Sequence, residues 1–395
     1  MNYSKHITHA LQNDPPGEWM PTLPDQCIRL SSGFPSKELV PVKEINKATS
    51  KLLDEEQDLP LHYLGTPKLD AIKEQLIHRL EKRDLRANSN QLLVTAGACQ
   101  AIDLIARIFL DEETLVVVED PTYMEALEIF RNYTNRLICI PVDEKGLRTD
   151  KLEEFLEMRQ SQGQSLPRFV YTIPTFQNPT GTTMPLARRR HLLALASHYD
   201  FHILEDDAYG ELYFNKELPT LKSLDKENRV LYVGSLSKVV APGLRIGYIV
   251  ATEELITSLY WFKKDLDHPF TQAIMSTYLA NNDQQTHLEI LRKAYMQKRD
   301  CMIKSLNEHM PSIVHWIVPE GGYFVWVEVQ GIDTNQLLQD ALDRGVAYLP
   351  GRYFFLNPNN GKHYLRLSFS YASMEEIETG VKLLADLIKE KKQNL

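Results

Sequence analysis

Four short stretches of this chain combine residue types that can hold an anion, move a proton or act as a nucleophile. The richest is Ser235-Leu236-Ser237-Lys238, with Arg245 seven residues beyond the lysine. A lysine at the end of a buried strand is desolvated, so its charge is disfavoured and its amine becomes a nucleophile. The competing reading is a stem lying on apolar surface with the ammonium in water. Ser235, Ser237 and Arg245 supply the donors and charge that a phosphate monoester needs. Thr95-Ala96-Gly97-Ala98 reads as a strand-to-helix turn, either close-packed or able to offer free N–H groups to a phosphate. Asn178-Pro179-Thr180-Gly181 is ordinary turn chemistry. Glu205-Asp206-Asp207-Ala208-Tyr209 sets carboxylates and a phenol at a strand end, where one aspartate is expected to cap a helix.

The elements that must position these residues are legible as alternation. Apolar or β-branched runs at 92–95, 115–118, 169–173, 202–204, 230–233 and 246–250 are separated by helical patterns, among them 99–110 and 185–199. This is the pattern of βαβ units in a largely parallel sheet covered by helices, and ligands of such sheets lie beyond the carboxyl ends of the strands. A long charged helix over 287–310 leads to half-buried strands at 323–329 and 364–370 and helices at 335–344 and 374–389, a smaller α+β unit. The expected division is 1–50 joining the small domain, 51–282 as the large domain and 283–395 as the small C-terminal domain.

Composition narrows the function classes. The 395 residues are 43% hydrophobic and 25% charged with net charge −9, a globular mixture with no bulk electrostatic drive toward nucleic acid or an anionic membrane. Cys27, Cys99, Cys139 and Cys301 form no C-x-x-C pair, so reduced thiols in a cytoplasmic protein are expected. No apolar run has the length of a signal peptide core or a membrane span. His198 and His202 are four apart, but the second falls where the chain turns into a strand, and no metal is expected. Arg188-Arg189-Arg190 reads as a solvated helix face.

Taken together, the four stretches resemble those of fold-type-I, pyridoxal-phosphate-dependent aminotransferases of class I/II. The resemblance runs from Ser32-Gly33-Phe34-Pro35 to Arg366. Within the group it leans toward 2-aminoadipate and kynurenine aminotransferases and the aminotransferase-like domain of MocR-type regulators. It implies a PLP-transferase fold of the α/β class, with a large domain around a mostly parallel sheet and a smaller α+β domain. Lys238 matches the Schiff-base lysine that also shuttles the substrate α-proton, and Asp206 matches the carboxylate that keeps the pyridine nitrogen protonated. Asn178 and Tyr209 match donors to the cofactor's phenolic oxygen, and Tyr123 matches the ring stacked on the pyridine. Gly97, Ala98, Cys99, Ser235, Ser237 and Arg245 line the implied phosphate cup, and Tyr63 matches a tyrosine reaching the phosphate from a partner subunit, which implies a homodimer. Arg366 matches the arginine that grips the substrate α-carboxylate, Gly33 a backbone position over the substrate, and Glu320-Gly321-Gly322-Tyr323 a turn near the entrance.

The chain departs from its relatives at Ala98 and Cys99, where many carry a hydroxyl residue followed by glutamine. Side-chain phosphate contacts there are reduced, and Cys99 is expected to pack, although a thiol at a helix N-terminus can have a lowered pKa. The implied activity is ping-pong transfer of an amino group from an amino acid to a 2-oxo acid. Two alternatives stand beside it: β-elimination or decarboxylation on the same scaffold, and a cofactor-binding regulatory domain without turnover. The last needs a winged helix domain ahead of this one, for which the roughly thirty residues before Gly33 are too few. Trp19, Phe34, Tyr260, Trp261, Phe262, Tyr353, Phe354 and Phe355 hint at a roomy, partly aromatic pocket, or simply at core.

Overall fold

The computed structural model describes residues 2–393 except 4, 14, 18, 20, 21, 63–65 and 265–267. Its main sheet has eight strands: β1 (Leu92–Thr95), β2 (Val116–Asp120), β3 (Leu137–Asp143), β4 (Gly146–Leu147), β5 (Phe169–Thr172), β6 (His202–Asp207), β7 (Val230–Ser235) and β8 (Gly247–Val250). They lie in the order β1-β8-β7-β6-β5-β2-β3-β4. Strands β7, β6, β5, β2 and β3 run parallel, whereas β8 is antiparallel to both β1 and β7, and β4 turns back on β3.

Apolar runs form these central strands because both faces are covered. Val116 and Val118 join one buried cluster and Val117 the other, as a two-residue period requires. The first cluster takes Ala101, Ile102 and Ile105 from α2 (Ala98–Phe109), while α1 (Lys68–Glu81) packs Ile72 and Leu76 into a third apolar cluster. Helix α3 (Met124–Arg131) follows β2, and α4 (Leu186–Tyr199) packs Leu192, Leu195 and Ala196 on the opposite face. Each Val, Leu or Ile side chain among them, fully buried, contributes about 1.5–3 kcal/mol relative to exposure. A single turn, α5 (Leu221–Leu224), follows β6.

The helix α6 (Gln284–His309) starts at Asp283, whose carboxylate accepts from the amides of Gln285 and Thr286. Beyond it, β9 (Val314–Trp316), β10 (Phe324–Val329), β11 (Leu349–Pro350) and β12 (Tyr364–Ser368) form an antiparallel sheet in the order β9-β10-β12-β11. Helix α7 (Met374–Gln393) packs along α6. The N-terminal segment joins this second sheet region: Ile28 and Arg29 pair in parallel with Val346 and Ala347, and the Ser368 amide donates to Leu30 O at 2.7 Å. Among the described residues no helix is long and apolar enough to cross a membrane.

Candidate active site

Strand β7 ends at Ser235, and three residues on lies Lys238, half-buried. Its Nζ donates to Gly33 O at 2.8 Å and lies 5.7 Å from the centre of the Tyr209 ring. Its own carbonyl accepts from the Tyr323 hydroxyl at 2.7 Å, which fixes the backbone from the second sheet region. Burial, with the positive charge of Arg366 acting in the same direction, pushes the amine down to about 8. Tyr209 packs edge-on against Tyr323 and Phe324, and burial pushes its phenol up.

Strand β6 runs three residues further than its apolar run, so Glu205, Asp206 and Asp207 lie inside the sheet and alternate between its faces. Asp206 Oδ2 accepts from the Tyr171 hydroxyl at 2.8 Å, while Oδ1 is buried with no partner among the described residues. Burial pushes this carboxyl up to about 6, against the Tyr171 hydrogen bond. Asp207 takes Arg83 at 2.6 Å and the Tyr232 hydroxyl at 2.8 Å. Neither aspartate caps a helix, contrary to expectation. The capping carboxylate is Glu205, which accepts from the amides of Leu221 and Lys222 at 2.8 Å each and so pins the start of α5.

Arg366 comes from β12 and is 3% exposed. Its Nη1 donates to Asn178 Oδ1 at 2.8 Å and its Nη2 to Ser31 O at 2.9 Å, while Nε is buried and unpartnered. The guanidinium lies over Phe324 at 4.0 Å and Phe354 at 5.2 Å, and burial pushes its pKa down to about 10. The Asn178 turn is locked by Gln177, whose amide donates to Glu119 Oε2 at 3.1 Å and Pro121 O at 2.7 Å and whose Oε1 accepts from the Thr180 amide at 2.8 Å. Burial pushes the Glu119 carboxyl up to about 7. Gly181 has φ +70° and a Cβ there would meet Phe324 O at 2.8 Å, so the second sheet closes directly on this turn.

Arg189 corrects the expectation of a solvated basic face. It is fully buried and donates to Met184 O, Pro174 O, Pro219 O and Thr175 Oγ1, because α4 packs this side of its first turn against the carbonyls behind the Asn178 turn.

Gly97 opens α2 at φ +93°, and a Cβ there would sit 2.3 Å from Arg245 Nη2. Arg245, itself left-handed at φ 52°, reaches Ala96 O at 3.0 Å, so the first turn of α2 and the segment after Lys238 face each other. Ser235 Oγ accepts from the Ser237 amide at 3.1 Å, and both serines are nearly buried. Gly97, Ala98, Cys99, Ser235, Ser237 and Arg245 thus converge around a helix N-terminus. Cys99 Sγ donates to Glu125 Oε2 at 2.9 Å and lies 3.7 Å from the Tyr123 hydroxyl. Burial and the Glu125 charge push this thiol up to about 12, so the helix end does not activate it. Tyr63 lies outside the described residues.

Sequence reasoning missed Tyr171, Glu119, Gln177, Arg83 and Glu125. Glu119 carried a signal, a carboxylate closing an apolar strand; the others depend on partners 26 or more residues away.

A depressed amine, a carboxylate with one free buried oxygen, a guanidinium with one free buried nitrogen and a glycine-opened helix end are the groups that pyridoxal phosphate and an amino acid require. Residues 25–384 match the family described as aminotransferase class I and II. The chain belongs to that family. It is 40% identical to an aromatic-amino-acid aminotransferase of Thermococcus litoralis, over 92% of this chain and 88% of that protein. It is 35% identical to a 2-aminoadipate transaminase of Thermus thermophilus, over 92% and 90% of the two chains. A solved kynurenine aminotransferase of Pyrococcus horikoshii superimposes with TM-score 0.87 at 39% identity, covering 93% of this chain and 92% of that one. This aminotransferase therefore has fold type I, uses pyridoxal 5'-phosphate and moves amino groups between amino acids and 2-oxo acids.

Proposed function

We propose that the aminotransferase works through Lys238, Asp206 and Tyr209, with Arg366 as the substrate grip and aromatic amino acids as preferred donors. The observation that carries this reading is the half-buried Lys238 amine, lowered to about 8, in one site with Asp206 Oδ1 and Arg366 Nε, which have no partner among the described residues. When bound, pyridoxal phosphate supplies an electron sink that makes the α-proton of a substrate amine removable. Lys238 Nζ would hold the cofactor and would take and return the proton at the substrate α-carbon. Asp206 Oδ1 would keep the ring nitrogen protonated, with the carboxylate oriented by the Tyr171 hydroxyl. Tyr209 and Asn178 would donate to the phenolic oxygen, and Tyr123 would stack on the ring.

Gly97, Ala98, Cys99, Ser235, Ser237 and Arg245 hold the phosphate, the first three chiefly by backbone N–H groups. Gly97→Ala is expected to weaken cofactor binding by about tenfold or more, since strain of about 1–3 kcal/mol and displacement of Arg245 accompany the new Cβ. A titration of cofactor-free protein followed by absorbance reads this directly.

Arg366 and Asn178 grip the α-carboxylate, with Gly33 over the substrate. The aromatic preference is supported by the cluster of Trp326, Phe354, Phe355, Tyr353 and Trp19 that extends from Tyr123 to Arg366, and by what the Thermococcus relative's name says of it. Tyr260, Trp261 and Phe262 are not part of that cluster but exposed. With exposed Leu59 and Leu61 they support a homodimer, in which Tyr63 would serve the partner's phosphate site. We also propose the division into 51–282 and 283–395, with 1–50 joining the latter, supported by the pairing of Ile28 with Val346. Four free cysteines fit a cytoplasmic protein.

The test is the visible spectrum of the purified protein during titration with single amino acids and no oxo acid. The aldehyde band is expected to give way to the amine-form band with phenylalanine, tyrosine or kynurenine. A spectrum unmoved by every amino acid would overturn the proposal.

A further inference from the structure

We infer that Gln177 is a positioning residue of this site: its single amide ties the turn that carries Asn178 to the turn that carries Tyr123, and so sets the donors that meet cofactor and substrate carboxylate. The inference rests on the roles proposed above for Asn178 and Arg366.

Gln177 is 1% exposed, and every hydrogen-bonding capacity of its side chain is spent. Nε2 donates to Glu119 Oε2 at 3.1 Å and to Pro121 O at 2.7 Å. Oε1 accepts from the Thr180 amide at 2.8 Å and from the Thr180 hydroxyl at 2.7 Å. These neighbours decide which way the amide points, because Pro121 O can only accept and the Thr180 amide can only donate. One side of Gln177 therefore holds the end of β2 and the residues leading to Tyr123. The other holds the Asn178-Pro179-Thr180 turn that follows β5.

The Glu119 carboxylate makes that contact hard to replace. It is 1% exposed and accepts from the Thr172 hydroxyl, the Ile173 amide and Gln177, and among the described residues no basic side chain pairs with it. Loss of the Gln177 amide removes one of its three donors and leaves Pro121 O and the Thr180 amide without the partner each has here. Movement of the Asn178 turn is the available relief. Asn178 transmits that movement, since its Oδ1 accepts from Arg366 Nη1 at 2.8 Å, one of the two bonds that orient the buried guanidinium.

The experiment measures two properties of the holoenzyme: the dissociation constant of 3-phenylpropionate, an unreactive carboxylate, and the pH midpoint of the visible band of bound cofactor. The variants are Gln177→Met, which keeps the unbranched shape and removes the amide, Asn178→Ala, and the two combined. Gln177→Met is expected to weaken the carboxylate about tenfold and to raise the midpoint by about one pH unit, because a donor to the ionised phenolic oxygen is misplaced. Asn178→Ala should do at least as much, and the double variant no more than Asn178→Ala, since Gln177 acts through Asn178. Should Gln177→Met not fold, Gln177→Asn, too short to span from Pro121 O to the Thr180 amide, carries the same expectation. Parent values for both readouts in the Gln177 variant, or losses that add in the double variant, would overturn the role of Gln177 alone. An Asn178→Ala variant unchanged in both readouts would overturn the role given to Asn178 as well.

Discussion

Lys238→Ala is expected to abolish covalent attachment of pyridoxal phosphate and to lower turnover by about 10⁴-fold, the upper range for a positioned proton-transfer group. The residue has two duties, nucleophile at rest and proton carrier in the cycle, and alanine performs neither. The variant should still fold, because Nζ makes a single described hydrogen bond, to Gly33 O. Unchanged thermal unfolding with a lost visible band is the expected pair of results. The parent protein offers a second reading of the same group through pH. Only the neutral amine attacks an aldehyde, and burial has lowered the folded pKa from 10.5 to about 8. The amine is therefore protonated below about pH 8 and free above it, so the rate of attachment to cofactor-free protein should rise through pH 8 and level off. An ordinary exposed lysine would still be climbing at pH 10. Normal activity in Lys238→Ala, or an attachment rate that climbs to pH 10, would remove Lys238 from its assigned place.

The sequence showed what chemistry was present better than it showed what held it. Strand 92–95 coincided with β1 because four apolar or β-branched residues sit between clear turn signals. The expected strand 202–204 stops short because Glu205-Asp206-Asp207 read as strand-end carboxylates, one of them a helix cap; they stay in the sheet only because Leu221 and Lys222 amides, Tyr171 and Arg83 meet each carboxylate. The antiparallel course of β8 was invisible, since an apolar run carries no direction. Leu137–Asp143 was passed over, its pattern broken by Pro141 near the end of the strand. Arg189 illustrates the general limit. In a run of three arginines it looks solvated, and only packing of α4 against the Asn178 turn supplies the carbonyls that justify burying it. Lys238, Asp206, Asn178 and Arg366 were nameable because each falls at a strand end or turn with a fixed neighbourhood in sequence, whereas their supports are long-range.

Arg366→Ala is expected to weaken amino acid binding by about 2–5 kcal/mol, roughly 30-fold to several thousand-fold, with cofactor retained. The guanidinium is buried, oriented by Asn178 Oδ1 and Ser31 O and sandwiched by Phe324 and Phe354. That arrangement spends two N–H groups on holding the fork and leaves Nε without a partner among the described residues. A buried cation with a free donor is costly unless an anion arrives, and the depressed pKa near 10 records that cost. A substrate α-carboxylate relieves it, so affinity lost on truncation includes both the pair and its orientation. Arg366→Lys separates the two. It keeps a charge but not the planar fork, and should recover only part of the binding. The readouts are the dissociation constant of an unreactive carboxylate, the retained visible chromophore and the unfolding temperature of each variant. If Arg366→Ala loses cofactor and stability together while the carboxylate affinity of the remaining holoenzyme is unchanged, the arginine is a brace between the Asn178 turn and the N-terminal segment rather than the substrate grip.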